Sequence, residues 1–212
     1  MSTIIFDFDG TLADTQKTIF RTVQATLKAL DMPAVSPDDI RPLIGLPLRE
    51  TFVRLTGVDD EACFDRCVDT YRELFEEIAD KSVALFPHVE ETLRTLHRNG
   101  VVLTVASSRG RASLCSLTQK LGIDSLFSLI LGEDDVINKK PAPDMVLETM
   151  RRLGSSPEDT WMVGDTTYDI AMGQAAGCGT IGVSYGNHSQ EQMLLQRPDF
   201  LVDDFEEILH II

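Results

Sequence analysis

The peptide Ile4-Ile5-Phe6-Asp7-Phe8-Asp9-Gly10-Thr11-Leu12 places two carboxylates one residue apart directly after an apolar run. Carboxylates this close repel one another, and ionising both is costly unless a cation neutralises them or they share a proton. The pair therefore suits metal-assisted or acid–base chemistry. A plainer alternative is an Asx turn that closes a strand and leaves both acids in water. Three further polar clusters also follow apolar runs. Ser107-Ser108 offers hydroxyls and amides to an anion at a helix start. Asn138-Lys139-Lys140-Pro141 sets a lysine beside a proline-stiffened turn, and Gly164-Asp165-Thr166-Thr167-Tyr168-Asp169 adds two more acids. Each has a plain reading as well: Ser107 caps a helix, Lys140 is a solvated charge, and Asp165 and Asp169 are a cap and a first-turn partner of the helix dipole.

The elements that would carry these clusters give them a common position. Runs at 4–8, 101–106, 128–131, 160–163, 180–183 and 199–202 are mostly apolar throughout, as expected of parallel strands covered on both faces. Helical patterns at 88–98, 111–121, 144–153 and 168–176 separate most of them and stop at Gly100, Gly122, Gly154 and Gly177. The alternation predicts an α/β fold with a doubly wound parallel sheet, in which ligands bind outside the carboxyl ends of the strands. All four clusters fall there. Residues 14–84 break the rhythm. Phe20, Val23, Leu27 and Leu30 predict one amphipathic helix, and Phe64, Val68, Tyr71, Phe75 and Ile78 predict another. Pro33, Pro37, Pro42, Gly45 and Pro47 punctuate what lies between. The expected organisation is a core of residues 1–13 and 85–212 with an all-helical insertion at 14–84, placed to cover the sheet or to lid a site.

Composition narrows the partners. The chain has 212 residues, with 19 Lys and Arg against 34 Asp and Glu, a formal net charge of −15. Nucleic acid and anionic membranes require clustered basic residues and are not expected. The N-terminal apolar run lacks a basic flank and stops at Asp7, and no later run approaches membrane-spanning length, so a cytoplasmic protein is expected. Cys63, Cys67, Cys115 and Cys178 form no C-x-x-C pair and are read as free thiols. Asn187-His188-Ser189 matches a glycosylation acceptor by chance. Trp161 is read as strand packing, His88 as a residue of the hinge after the insertion, and 205–212 as a short docking helix. His97, His188 and His210 belong to no cluster. Monomer and homodimer are both open.

Taken in order, D-F-D-G-T-L, then Ser107, then Lys140-Pro141, then G-D-T-T-Y-D resemble the four motifs of the haloacid dehalogenase-like hydrolase superfamily. The resemblance spans the chain, and the insertion resembles that family's helical cap. It implies a Rossmann-like core in which Asp7 is the nucleophile that becomes phosphorylated and Asp9 is first general acid, then general base. It implies Mg²⁺ held by Asp7, Asp165 and the backbone carbonyl of Asp9, with Asp169 supporting the site from behind. Ser107, Ser108 and Lys140 would hold the phosphoryl group, with Lys140 also neutralising charge near Asp7. The family's dehalogenases lack the second acid, so Asp9 favours phosphoryl transfer. Residues 44–52 look like the cap loop of phosphoglycolate phosphatase and pyrophosphatase relatives, where Arg41 or Arg49 would bind an anionic tail or pair with the cap's own acids. The expected function is a Mg²⁺-dependent phosphatase acting on a small, phosphoglycolate-like phosphate monoester. A sugar phosphomutase like β-phosphoglucomutase is the alternative, although Gly164-Asp165 differs from the Glu-Asp of that mutase. Pyrophosphatase, nucleotidase, 2-haloacid dehalogenase and non-catalytic phosphate-ester binder rank lower.

Overall fold

The computed structural model describes residues 2–58, 60–79 and 82–212; Met1, Asp59, Asp80 and Lys81, which the ranges above span, lie outside the described residues. In chain order the elements begin with β1 (Thr3–Phe6) and β2 (Ala13–Asp14). Four helices follow: α1 (Gln16–Ala29), α2 (Pro37–Ile40), α3 (Leu48–Thr56) and α4 (Glu61–Ala79). The chain then runs through β3 (Ala84–Leu85), α5 (Val89–Arg98), β4 (Val102–Ala106), α6 (Arg111–Lys120), β5 (Leu129–Leu131) and α7 (Asp144–Leu153). It ends with β6 (Thr160–Gly164), α8 (Thr167–Ala176), β7 (Gly179–Val183), α9 (Gln190–Gln196), β8 (Phe200–Val202) and a 3₁₀ helix at Phe205–His210.

Six strands form one parallel sheet in the order β5-β4-β1-β6-β7-β8. From β1 the chain builds outward on one side through β4 and β5, then returns to lay β6 on the other side of β1. The order thus reverses between β1 and β6, the place where open α/β sheets bind ligands. β1 is buried along its whole length, and alternate residues go to opposite faces. Ile4 and Phe6 join Leu103, Val105, Val163 and the apolar sides of α5 and α6, whereas Ile5 meets Ala106, Met162 and the methionines of α7 and α8. Phe6 also packs on Phe205, ring centroids 5.5 Å apart, which fixes the C-terminal 3₁₀ turn on the first of these faces.

The insertion contains the two amphipathic helices expected from the sequence, and α1 and α4 pack against each other. Two features differ from the expectation. β2 and β3 pair antiparallel where the chain leaves and re-enters the core, Ala13 opposite Leu85 and Asp14 opposite Ala84. A short helix, α9, also stands between β7 and β8. Two-residue strands are too brief to show a period of two, and α9 follows polar Gly-Asn-His-Ser residues that read as loop. Among the described residues no helix is long and apolar enough to cross a membrane.

Candidate active site

β1 delivers Asp7 to the sheet's carboxyl edge, where its N–H donates to the Val163 carbonyl of β6 at 2.9 Å. The backbone then turns sharply: the Phe8 carbonyl accepts from both Leu12 and Ala13, and Gly10 adopts φ +93°. Glycine is required at this turn twice over, because a Cβ would also lie 2.3 Å from the Asp165 carboxylate. The loop after β5 brings in Lys140, whose side chain is fully buried. Its Nζ donates to Asp7 Oδ1 and to Asp169 Oδ1, both at 2.6 Å. The second oxygen of Asp169 accepts from the Thr166 amide and hydroxyl, so the start of α8 holds Asp169 and Asp169 holds Lys140. Asp165, at the end of β6, accepts from Thr11 Oγ1 at 3.0 Å and from Asn187 N and Nδ2 at 2.7 and 2.8 Å. Asn187 Nδ2 also reaches the Asp9 carbonyl at 3.3 Å.

Asp9 lies at the mouth of the site, gripped by one guanidinium. Arg109 Nε and Nη2 donate to its two oxygens at 2.9 and 2.7 Å. The same guanidinium lies 4.0 Å over the ring of Phe75 on α4, so a core loop, the general-acid candidate and the insertion meet at one residue. Ser107 is buried; its Oγ accepts from the Arg109 amide, which leaves the hydroxyl proton available to an anion. The Ser108 hydroxyl donates to the Gly45 carbonyl at 2.6 Å, tying the core to the 44–52 loop. On the other side, Tyr168 donates to the Pro42 carbonyl at 3.3 Å, and the insertion is seated over the sheet edge.

The electrostatics of this cluster call for a cation. Burial pushes the Asp7 carboxyl well above its ordinary range; Lys140 pulls it back, while Asp169, Asp165 and Asp9 push it further up. Asp165 is raised to about 7 by burial and by Asp169, against the bonds from Asn187 and Thr11. Burial would lower the Lys140 pKa, but Asp169 and Asp7 outweigh it and keep the ammonium charged. Fully ionised, the four carboxylates Asp7, Asp9, Asp165 and Asp169 would face two cations, Lys140 and Arg109, and exceed them by two negative charges. Oxygens of Asp7, Asp165 and Asp169 lie within 4.8 Å of one another. The donor set is all oxygen and buried, and its charge shortfall is that of one hard divalent cation.

A cavity of about 390 Å³ opens from Asp7, Asp9 and Ser107 into the insertion. Arg41 and Arg49 do not line it. Arg41 lies over the Phe20 ring at 5.7 Å, whereas Arg49 pairs with Glu61 at 2.6 Å and lies over Phe64 at 5.4 Å. The sequence reading also passed over several site residues. Arg109 directly follows Ser107-Ser108, a cation close behind a strand end. Asn187 follows β7, a fifth strand end, and the acceptor match hid that position; its side chain is buried against Asp165, not open to a glycan. His188 is buried too, its Nδ1 accepting from the Thr167 amide at 3.1 Å, which sets it at the start of α8.

Comparison with known proteins agrees with this arrangement. Haloacid dehalogenase-like hydrolase sequences match residues 4–183, from β1 to the end of β7. The chain belongs to the haloacid dehalogenase-like hydrolase family. It is 40% identical over 210 residues to the "Probable phosphatase IndB" of Dickeya dadantii, covering 97% of this chain and 91% of that protein. It is 33% identical over 228 residues to the "Phosphoglycolate phosphatase" of Salmonella typhimurium, covering 97% and 90%. A crystal structure from Haemophilus somnus 129PT, described as a predicted phosphoglycolate phosphatase, superposes with a TM-score of 0.91 at 27% identity, covering 100% of this chain and 97% of that one.

Proposed function

We propose that this hydrolase is a Mg²⁺-dependent phosphatase that cleaves a small phosphate monoester through a phosphorylated Asp7. One observation carries the reading: the buried Asp7, held at 2.6 Å by Lys140 and flanked by Asp165, opens into a cavity whose mouth also holds Asp9. Asp7, Asp165 and the Asp9 carbonyl would hold Mg²⁺, which when bound offsets the charge of the phosphoryl oxygens and of the acids around them. Lys140 and the Ser107 hydroxyl hold the transferring group. Asp7 attacks phosphorus, and the bond to the ester oxygen breaks with its electron pair leaving on the alcohol, which takes a proton from Asp9. Water then attacks the Asp7 phosphate while Asp9 accepts its proton, and inorganic phosphate and the free carboxylate are restored.

In this scheme Asp9 is already a carboxylate once it has protonated the alcohol, as the second step needs, and Arg109 holds it in place. The insertion, 14–84, acts as the cap that excludes water while the ester bond is broken. A sugar phosphomutase would instead need a second phosphate site in the cap, and Arg41 and Arg49 are engaged away from the cavity. A glutamate at Gly164, as in that mutase, would have to displace Asp169, since a Cβ there would lie 2.3 Å from it. The test is phosphate release from monoesters with Mg²⁺ and with a chelator. Asp7→Asn should abolish turnover while leaving the fold intact; near-normal activity in that variant would remove Asp7 as nucleophile.

A further inference from the structure

We infer that the alcohol released from the phosphate is uncharged and apolar-bodied, larger than glycolate, and carries no second anionic group. The inference rests on the phosphatase reading and names its substrate class. Beyond the carboxylates of the catalytic end, the insertion's share of the cavity wall is mostly apolar, with Ile19, Val23, Ile40, Leu43, Tyr71 and Phe75, while Thr51 adds a hydroxyl. At about 390 Å³ the space is in the range that holds a compact organic molecule, several times what a glycolate unit fills.

Charge decides against an anionic tail. Among the described residues the only buried cation lining the cavity is Arg109, and its Nε and Nη2 both donate to Asp9. Its Nη1 donates to Ser113 Oγ at 3.3 Å, so a substrate carboxylate there would share a guanidinium whose charge Asp9 already offsets, and the cavity would become more negative by one charge. At the rim Glu76 and Asp134 stand against Arg72, which is itself turned toward Glu133 at 3.6 Å. A second anion placed among these acids is repelled, and placed against the aliphatic wall it is desolvated without a partner. An apolar alcohol gains on both counts, since its burial displaces water from the same surface.

Benzyl phosphate and 2-phosphoglycolate test this directly, because both are esters of primary alcohols and differ mainly in the group that enters the cavity. Phosphate release with Mg²⁺ should give benzyl phosphate a kcat/KM at least ~10-fold higher, with the difference mostly in KM. Leu43→Lys, which brings an ammonium to the half-buried wall, should narrow that ratio at least ~5-fold. Equal or better turnover of 2-phosphoglycolate by the wild-type chain overturns the substrate class and leaves the phosphatase standing. Phosphate release from neither ester, nor from pyrophosphate, overturns both.

Discussion

Lys140 links Asp7, the proposed nucleophile, to the start of α8, and removing its ammonium would leave Asp7 and Asp169 buried without the charge they share. Breaking a buried pair from one side costs about 3–5 kcal/mol of stability. Lys140→Ala should therefore lower the urea midpoint substantially, and kcat/KM should fall on the order of 100-fold or more as the phosphoryl contact is lost. A loss below about fivefold would make Lys140 a structural residue alone. Arg109→Ala makes a different expectation: Asp9 loses its guanidinium and Phe75 its stacking partner, so turnover should fall while Mg²⁺ affinity, measured by calorimetry, changes little. Asp7, Asp9 and Asp165 were legible in the sequence because each sits at or just past the end of an apolar strand, whereas Lys140, nine positions beyond β5, and Asp169, inside α8, stood out through the order of the motifs. Arg109 and Asn187 were less so. Arg109 matters only because Asp9, 100 positions earlier, faces it, and Asn187 because Asp165, 22 positions earlier, does. No local pattern announces such pairings.

Among the elements, the seam between insertion and core rests on few polar contacts, of which Ser108 Oγ to the Gly45 carbonyl is the shortest. Ser108→Ala removes a bond of about 1 kcal/mol and leaves Gly45 to find water. Amide exchange in the 44–52 loop should quicken several-fold, and unchanged exchange would show that the seam is held elsewhere. At the opposite edge, His88 pairs with Asp204, which caps the C-terminal 3₁₀ turn through the Glu206 amide. The hydrogen bond to Asp204 raises the His88 pKa above its ordinary 6.5. A raised folded pKa means that the pair's stabilisation is complete below about pH 6.5 and is lost as pH rises through the raised value. His88→Asn, which keeps a residue tolerant of the φ of 60°, should thus destabilise the chain at about pH 5.5 and hardly at all at about pH 9. The six sheet strands and the two long cap helices could be read from period and length. The β2–β3 ribbon could not, because its pairing is made by topology and not by any run of residues.

At the scale of the whole molecule, a chain of net charge −15 sets one buried lysine and one buried serine hydroxyl beside a cluster of carboxylates, the groups from which the proposed phosphate site would be made. The strand order that reverses between β1 and β6 brings Asp7 and Asp165 together, and the insertion between β2 and β3 closes over them. The fold class followed from the alternation of strands and helices, whereas the character of the cavity depended on which faces of α1 and α4 turn inward. Long-range repulsion also gives a prediction. A dianionic ester approaches a negatively charged molecule, so added monovalent salt should raise kcat/KM modestly by screening, until specific ion effects dominate. A steady fall from low salt upward would point to a positive surface that this charge distribution does not provide. In the proposed mechanism phosphate passes through Asp7. Acid-quenching the wild-type protein during turnover of benzyl phosphate with Mg²⁺, then mapping its peptides by mass spectrometry, shows whether it does. A phosphoryl group on the peptide containing Asp7, absent with chelator and absent in Asp7→Asn, is the predicted result. Turnover that continues in Asp7→Asn, with no phosphorylated peptide in either protein, would contradict it.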